Sequence, residues 1–359
     1  MLTAELRRAI QTATGLPDAD PLLRPGPAPG RYASSLPFRL ARRGQNPREV
    51  AAGLAARLRG EPWIEAAEAT GAGYLTVTVT HDALAGLAVR IAEAGPACAA
   101  SDALRGRTVP APPPPDLAAE PGWPQARAAL AVHLTARLAS AAGATLFFYP
   151  ERAVVSPPAP DPPPAGLPPV PPVPPASPES LPSPESFPPG PAQPESVAGA
   201  VAYAGADAVR FALARTPPGG HAPQATIVAR HVLGNPAYAV RYAHAAAAAV
   251  LRWAAALGTR PADPQEFRPR LLAEPGELAL LDALSWLPER VAAAARRGRP
   301  DEFAGYLEGL ATRTIDTMST TSFRNVSEIS SERLWLAAAA RVGLAVGLGL
   351  LGVSAPERL

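Results

Sequence analysis

Asn235-Pro236-Ala237-Tyr238-Ala239-Val240-Arg241-Tyr242-Ala243-His244 is the stretch on which the reading of the chain turns. Asparagine offers a side-chain oxygen to the free backbone amides of a first helical turn, and the proline behind it loses nothing there by lacking an N–H. After Pro236 neither glycine nor proline interrupts the alanine-rich run before Gly258. The pattern therefore predicts one helix to about Leu257. Tyr238 and Tyr242 lie four residues apart and share a face, with Arg241 beside them and His244 just beyond. Two rings are thereby placed on one face, an arrangement that helix-to-helix packing also uses.

Downstream, helical spacing continues at Glu277–Trp286, Pro288–Arg297, Asp301–Thr317 and Ser331–Leu351, with Pro288 breaking what would otherwise be one rod. Residues 197–359 thus read as an all-α bundle of five or six helices. Upstream stands a segment, 151–196, of a different kind. Nineteen of residues 156–195 are proline, and Ser-Pro-Glu-Ser recurs at Ser177 and Ser183. Proline fixes φ and offers no amide hydrogen, so the stretch neither continues a helix nor joins a central strand. It reads as a disordered proline-rich linker, able to reach about 120 Å if fully extended.

The residues before it form an α+β unit, 1–100, and a smaller extension, 101–150. Leu2, Leu6 and Ile10 repeat at helical spacing, Asn46-Pro47-Arg48-Glu49 is a second cap-and-proline start, and Leu75, Val77 and Val79 alternate with Tyr74, Thr76 and Thr78. That alternation predicts a half-buried strand with Tyr74 and Thr76 on the wet face. In the extension, Leu130, Leu134 and Leu138 mark a helix and Thr145–Tyr149 a short strand, expected to pack on the N-terminal unit.

Net charge is only +2 among 359 residues, so distribution matters more than the sum. Residues 1–60 hold ten arginines against four acids, and Arg39, Arg42 and Arg43 cluster on one expected helix. Residues 197–359 hold 17 arginines against 14 acids, which leaves phosphate attraction there local. All 33 basic residues are arginine, which excludes any lysine-dependent phosphate loop. The single Cys98 permits neither an internal disulfide nor a zinc cluster and reads as a buried, inert thiol. The longest apolar run, Val342–Val353, is short for a bilayer, and no signal peptide is recognisable at Met1, so no membrane partner and a cytoplasmic location are expected.

Several of these segments together resemble the arginyl-tRNA synthetase family. Asn235–His244 is similar to the helix that opens its DALR anticodon-binding domain; Gly205-Ala206-Asp207-Ala208-Val209-Arg210-Phe211 is similar to the approach to that domain, and Gly349–Val353 with Pro356–Leu359 to its close. Arg31-Tyr32-Ala33-Ser34-Ser35, the Asn46 helix and Gly71-Ala72-Gly73-Tyr74-Leu75 resemble its N-terminal additional domain, which contacts the tRNA elbow. The resemblance implies tRNA as partner. It implies an elbow side with Tyr74, Thr76, Arg39, Arg42 and Arg43, and an anticodon side with Asn235, Tyr238, Arg241, Tyr242 and His244.

This chain departs from the family at telling places. Thr76 stands where an amide side chain is usual, Arg241 where glutamine is, and Ala246 where arginine is; the late helix reads Thr314-Ile315-Asp316-Thr317-Met318 and then Thr321-Ser322. The five histidines are never spaced by three, so no His-Ile-Gly-His turn exists, and no Lys-Met-Ser-Lys-Ser loop is possible without lysine. About 90 residues, 103–198, separate the two recognisable flanks, too few for a nucleotide-binding α/β domain once the proline stretch is subtracted. The expectation is a non-catalytic paralogue with no catalytic residues, cofactor or metal, which binds tRNA as an accessory or regulator, with a synthetase or other tRNA-dependent enzyme as a further partner. Alternatives are a protein-interaction module derived from a synthetase and an arginine–tRNA ligase.

Overall fold

The computed structural model describes residues 2–42, 45–148, 196–325 and 328–359. Apart from Ser196, the linker expected at 151–196 lies outside the described residues, and so does Arg43.

The N-terminal unit runs α1 (Leu2–Thr14), β1 (Leu23–Pro25), β2 (Arg31–Ser34), α2 (Leu36–Leu40), α3 (Pro47–Leu58), β3 (Ile64–Thr70), β4 (Tyr74–Val79), α4 (His81–Ala85) and α5 (Leu87–Ala94). Its strands form one antiparallel sheet in the order β1-β2-β4-β3, with Val77 level with Tyr32 on one side and Ala67 on the other. The expected cap is present: Asn46 Oδ1 accepts from the Arg48 amide at 2.9 Å. Leu75, Val77 and Val79 are buried together with Leu54 and Leu58 of α3. Cys98 sits in the 3-10 turn Gly95–Ala99, where burial pushes its thiol up to about 12.

The extension contains β5 (Thr108–Pro110), α6 (Trp123–Ala141) and β6 (Thr145–Phe147), and β5 pairs with β6 in parallel. That is one strand–helix–strand crossover, and no third parallel strand extends it among the described residues. Its position corrects an expectation. Instead of packing on the N-terminal unit, α6 lies against α8 (Ala206–Arg215) and α12 (Leu287–Arg297) of the helical domain. Its buried stripe of Leu130, Leu134 and Leu138 meets an apolar helix surface there, whereas the N-terminal unit's own apolar faces are already covered.

The helical domain comprises α7 (Val197–Ala204), α8, α9 (Ala225–Val228), α10 (Pro236–Ala256), α11 (Pro275–Ser285), α12, α13 (Pro300–Met318), α14 (Thr321–Arg324) and α15 (Ser331–Leu350). α10 ends as its sequence requires: Gly258 adopts φ +77°, and the Thr259 amide returns to the Ala254 carbonyl at 2.8 Å. α15 is long and apolar enough to cross a membrane by length and composition, yet it is a core helix, with α5, α10 and α13 packed around it. Gly347 makes the α13 contact possible, since a Cβ there would stand 2.3 Å from Leu307.

The N-terminal unit and the helical domain are packed directly on each other, and their buried residues form one continuous core. Thr3 Oγ1 donates to the Ser285 carbonyl at 2.6 Å, the Tyr32 hydroxyl meets Ser285 Oγ at 2.9 Å, and the Gly30 amide donates to Asp282 at 3.0 Å. Arg7, only 3% exposed, reaches Glu289 at 2.6 Å and Asp20 at 3.1 Å, and Arg296 holds Glu289 at 3.0 Å and Asp20 at 3.7 Å. Two cations and two carboxylates thus alternate across the seam. Burial raises the Asp20 carboxyl, but Arg296 and Arg7 outweigh it and hold the group below its ordinary range.

Removing one partner from such a network strands the others in low dielectric. Glu289→Ala is expected to lower the unfolding free energy by about 3–5 kcal/mol in urea titrations, against less than about 1 kcal/mol for Arg215→Ala, an exposed side chain paired with the half-buried Glu308. A depressed carboxylate stabilises above its unfolded value, about 3.9, and loses that contribution as pH falls through the lower folded value. The seam is therefore expected to loosen below about pH 4. Trp286, whose ring lies 5.4 Å from that of Tyr32 across the seam, reports it by fluorescence. A Trp286 signal unchanged down to the point of global unfolding would contradict this.

Candidate functional site

Two surfaces carry the residues singled out by the sequence. On the helical domain, Asn235 caps α10 through Oδ1 to the Ala237 amide, 3.2 Å, while its Nδ2 donates to the Val228 and Arg230 carbonyls, both at 2.7 Å. It is buried, and its side chain is spent on the first turn of α10 and on the segment before it, so it shapes the surface without presenting itself. The tyrosines do present themselves. Tyr238 stacks on His231 (centroids 5.5 Å, planes 13° apart) and on Tyr242 (5.9 Å, 25°), and Tyr242 is 38% exposed. This ladder of three rings opens onto a groove of about 620 Å³, bounded by Ile315 and Met318 at the end of α13, Phe323 and Arg324 of α14, and the tail at Arg358.

Ala246 and Trp253 line the same groove one and three turns beyond Tyr242. Sequence reasoning missed Trp253 and His231. Trp253 continues the stripe 238, 242, 246, 249, 253 and was legible from helical spacing; His231 lies in a loop, where spacing carries no signal.

His244 departs from the expected anticodon-side set. His244 is 2% exposed, and its Nδ1 pairs with the Pro356 carbonyl at 2.9 Å, so it fastens the C-terminal tail and faces no ligand. Burial holds its imidazole below the ordinary value. Arg241 is half-buried, with its Nε lacking a partner among the described residues.

On the N-terminal unit, Tyr74 stands 39% exposed at the start of β4 with the edge of Phe38 against it, ring centroids 5.0 Å apart. Thr76 departs from expectation. It is 7% exposed, and its hydroxyl is engaged with Thr70 of β3 at 2.7 Å, because β4 is an interior strand flanked by β2 and β3. Arg39 is exposed on α2, but the helix ends at Leu40, so Arg42 lies beyond it, exposed in the following loop. Arg57 and Arg59 donate to the Ala13 and Ala67 carbonyls, which gives them structural work.

The domain models that match correspond to these two surfaces. The arginyl tRNA synthetase N terminal domain matches residues 1–79 and the DALR anticodon binding domain matches residues 240–359. The chain belongs to the arginyl-tRNA synthetase family. It is 40% identical over 159 residues to the arginine–tRNA ligase of Kineococcus radiotolerans, and 41% identical over 163 residues to that of Clavibacter sepedonicus. In both cases 43% of this chain and 28% of the relative are covered. Against the arginyl-tRNA synthetase structure of Thermus thermophilus it shows 19% identity and a TM-score of 0.35, over 99% of this chain and 59% of that one, a likeness too low to argue from. The segment between the two matched domains lacks both signature motifs of the family's catalytic centre and, among the described residues, contains one parallel strand pair.

The division between structural and presented residues is testable. Asn235→Ala is expected to lower the unfolding free energy by about 2 kcal/mol, for a missing cap and two stranded carbonyls. Tyr242→Ala, at an exposed ring, should cost under about 1 kcal/mol. The opposite order in urea titrations would place the ring, not the cap, in the structural role.

Proposed function

We propose that this protein binds tRNA through two surfaces, the Tyr238–Tyr242 groove at the anticodon end and the Tyr74–Phe38 pair at the elbow, without itself activating an amino acid. The observation that carries the reading is the ladder of His231, Tyr238 and Tyr242 beside a groove edged by Arg324 and Arg358, a groove whose lining from Tyr242 onward falls within the match to the DALR anticodon binding domain. An aromatic face stacks on any base and contributes roughly 1–3 kcal/mol, while neighbouring arginines answer the phosphates. Ala246, on the floor of the groove, leaves open the space that an arginine would fill, and the short Thr76 is turned into the sheet. Stacking is thus retained on both surfaces while edge-reading groups are reduced, which favours a binder of tRNA over a discriminating one. The missing lysine and histidine motifs favour, in this reading, a role as accessory or regulator to a separate tRNA-dependent enzyme.

The second reading is arginine–tRNA ligase activity, favoured by the names of the relatives. ATP–pyrophosphate exchange with arginine and tRNA separates the two: no exchange is expected, and measurable exchange overturns the non-catalytic reading. In mobility shifts with total tRNA, affinity should fall steeply with salt. Tyr242→Ala and Tyr74→Ala should each weaken binding by about 1–3 kcal/mol. Unchanged affinity in either variant removes that ring from the interface.

A further inference from the structure

A cleft runs along the seam between the N-terminal unit and helices α12 and α13. Its larger part, about 810 Å³, includes Arg24, Phe38, Arg39 and Arg290; a contiguous part of about 360 Å³ shares Pro25, Trp286 and Arg290 and adds Arg313. The charges do not cancel. Asp20 and Glu289 are taken by Arg7 and Arg296, and Glu302 by Arg297 at 2.6 Å. Asp282 accepts from the Gly30 amide, and burial lifts its carboxyl above the ordinary value against the opposing pull of the Gly30 hydrogen bond and the Arg313 charge. Arg24, Arg39, Arg290 and Arg313 are exposed, and none has a carboxylate within 4.0 Å among the described residues; Arg290 is held by lying 5.5 Å over the Trp286 ring. Two of these arginines come from one side of the seam, β1 and α2, and two from the other, α12 and α13. Only the docked arrangement brings them together.

Phe38 joins the cleft to the exposed platform, because it both lines the cleft and packs edge-on against Tyr74. The α10 groove is separate: α13 gives the cleft residues 309, 310 and 313 and the groove residues 315 and 318, which at 100° per residue lie on opposite sides of the helix.

We propose that this cleft is a binding track for single-stranded RNA, in which Arg24, Arg39, Arg290 and Arg313 hold the phosphodiester backbone of a strand whose base stacks at Phe38 and Tyr74. Planar guanidinium forks suit phosphate oxygens, and an aromatic platform at the mouth distinguishes a nucleic-acid strand from an acidic peptide. The inference deepens the elbow half of the reading above and does not involve the α10 groove.

The test is fluorescence anisotropy with a labelled oligouridylate of about a dozen nucleotides, a length a single binding track accommodates. The probe is titrated into the full chain at several salt concentrations. The parent should bind at low salt. The combined Arg24→Gln, Arg39→Gln, Arg290→Gln and Arg313→Gln variant should bind at least roughly tenfold more weakly, with the slope of log K against log salt reduced by about 0.7 for each phosphate no longer neutralised. A variant with the same charge removed elsewhere, R8Q, R105Q, R268Q and R270Q, should keep the parental slope. No binding by the parent, an unaltered slope in the cleft variant, an equal weakening in the control, or equal displacement by poly-glutamate at matched charge each overturns the proposal. A chain that shifts total tRNA yet ignores the oligonucleotide overturns the cleft alone. Oligonucleotide binding through the cleft without any tRNA shift overturns the tRNA reading alone.

Discussion

The buried contact of Arg7 with Glu289, extended by Asp20 and Arg296, is the constraint on which the rest of the molecule depends. Charges taken out of water are tolerated only when their partners are in place, so this network is satisfied in one relative placement of the two units and penalised in others. The neutral contacts around it, Thr3 and Tyr32 on Ser285 and Gly30 on Asp282, agree with that placement. Hydrophobic burial gives the seam its stability, and the polar contacts give it a single geometry.

From that geometry the surfaces follow. The seam closes the apolar side of the N-terminal unit, so what remains outside is the Tyr74–Phe38 pair and the arginines around it. On the far side of α13 the α10 stripe stays open, because the small residues of α10, α13 and α15 pack closely on the other face and leave the rings to solvent. The extension fills the flank of the helical domain with α6 and, among the described residues, carries one pair of parallel strands.

Much of this was legible in the sequence, and what was not has a physical reason. The start of α10 at Asn235-Pro236, the break at Pro288 and the alternation of β4 are local signals, and local structure follows them. Burial of Thr76 and His244 was not legible, because each depends on a partner elsewhere in the chain: Pro356 for the histidine, the flanking strands β2 and β3 for the threonine. The same holds for α6, whose apolar stripe announces a buried face without naming its partner. The count of ten arginines against four acids in residues 1–60 pointed to a cationic surface, yet Arg7, Arg57 and Arg59 proved to be structural. Arg290 and Arg313, from the nearly balanced C-terminal half, complete the cleft that Arg24 and Arg39 begin.

The central claim is that the N-terminal unit and the helical domain form one cooperative body through a seam of buried charge. The most direct measurement is urea unfolding of the full chain labelled with fluorotryptophan, because the five tryptophans include Trp63 in the N-terminal unit, Trp286 at the seam and Trp335 in α15. Coincident disappearance of the native signals of all three is predicted. Unfolding of Trp63 at a lower urea concentration, with Trp335 still native, would contradict the account.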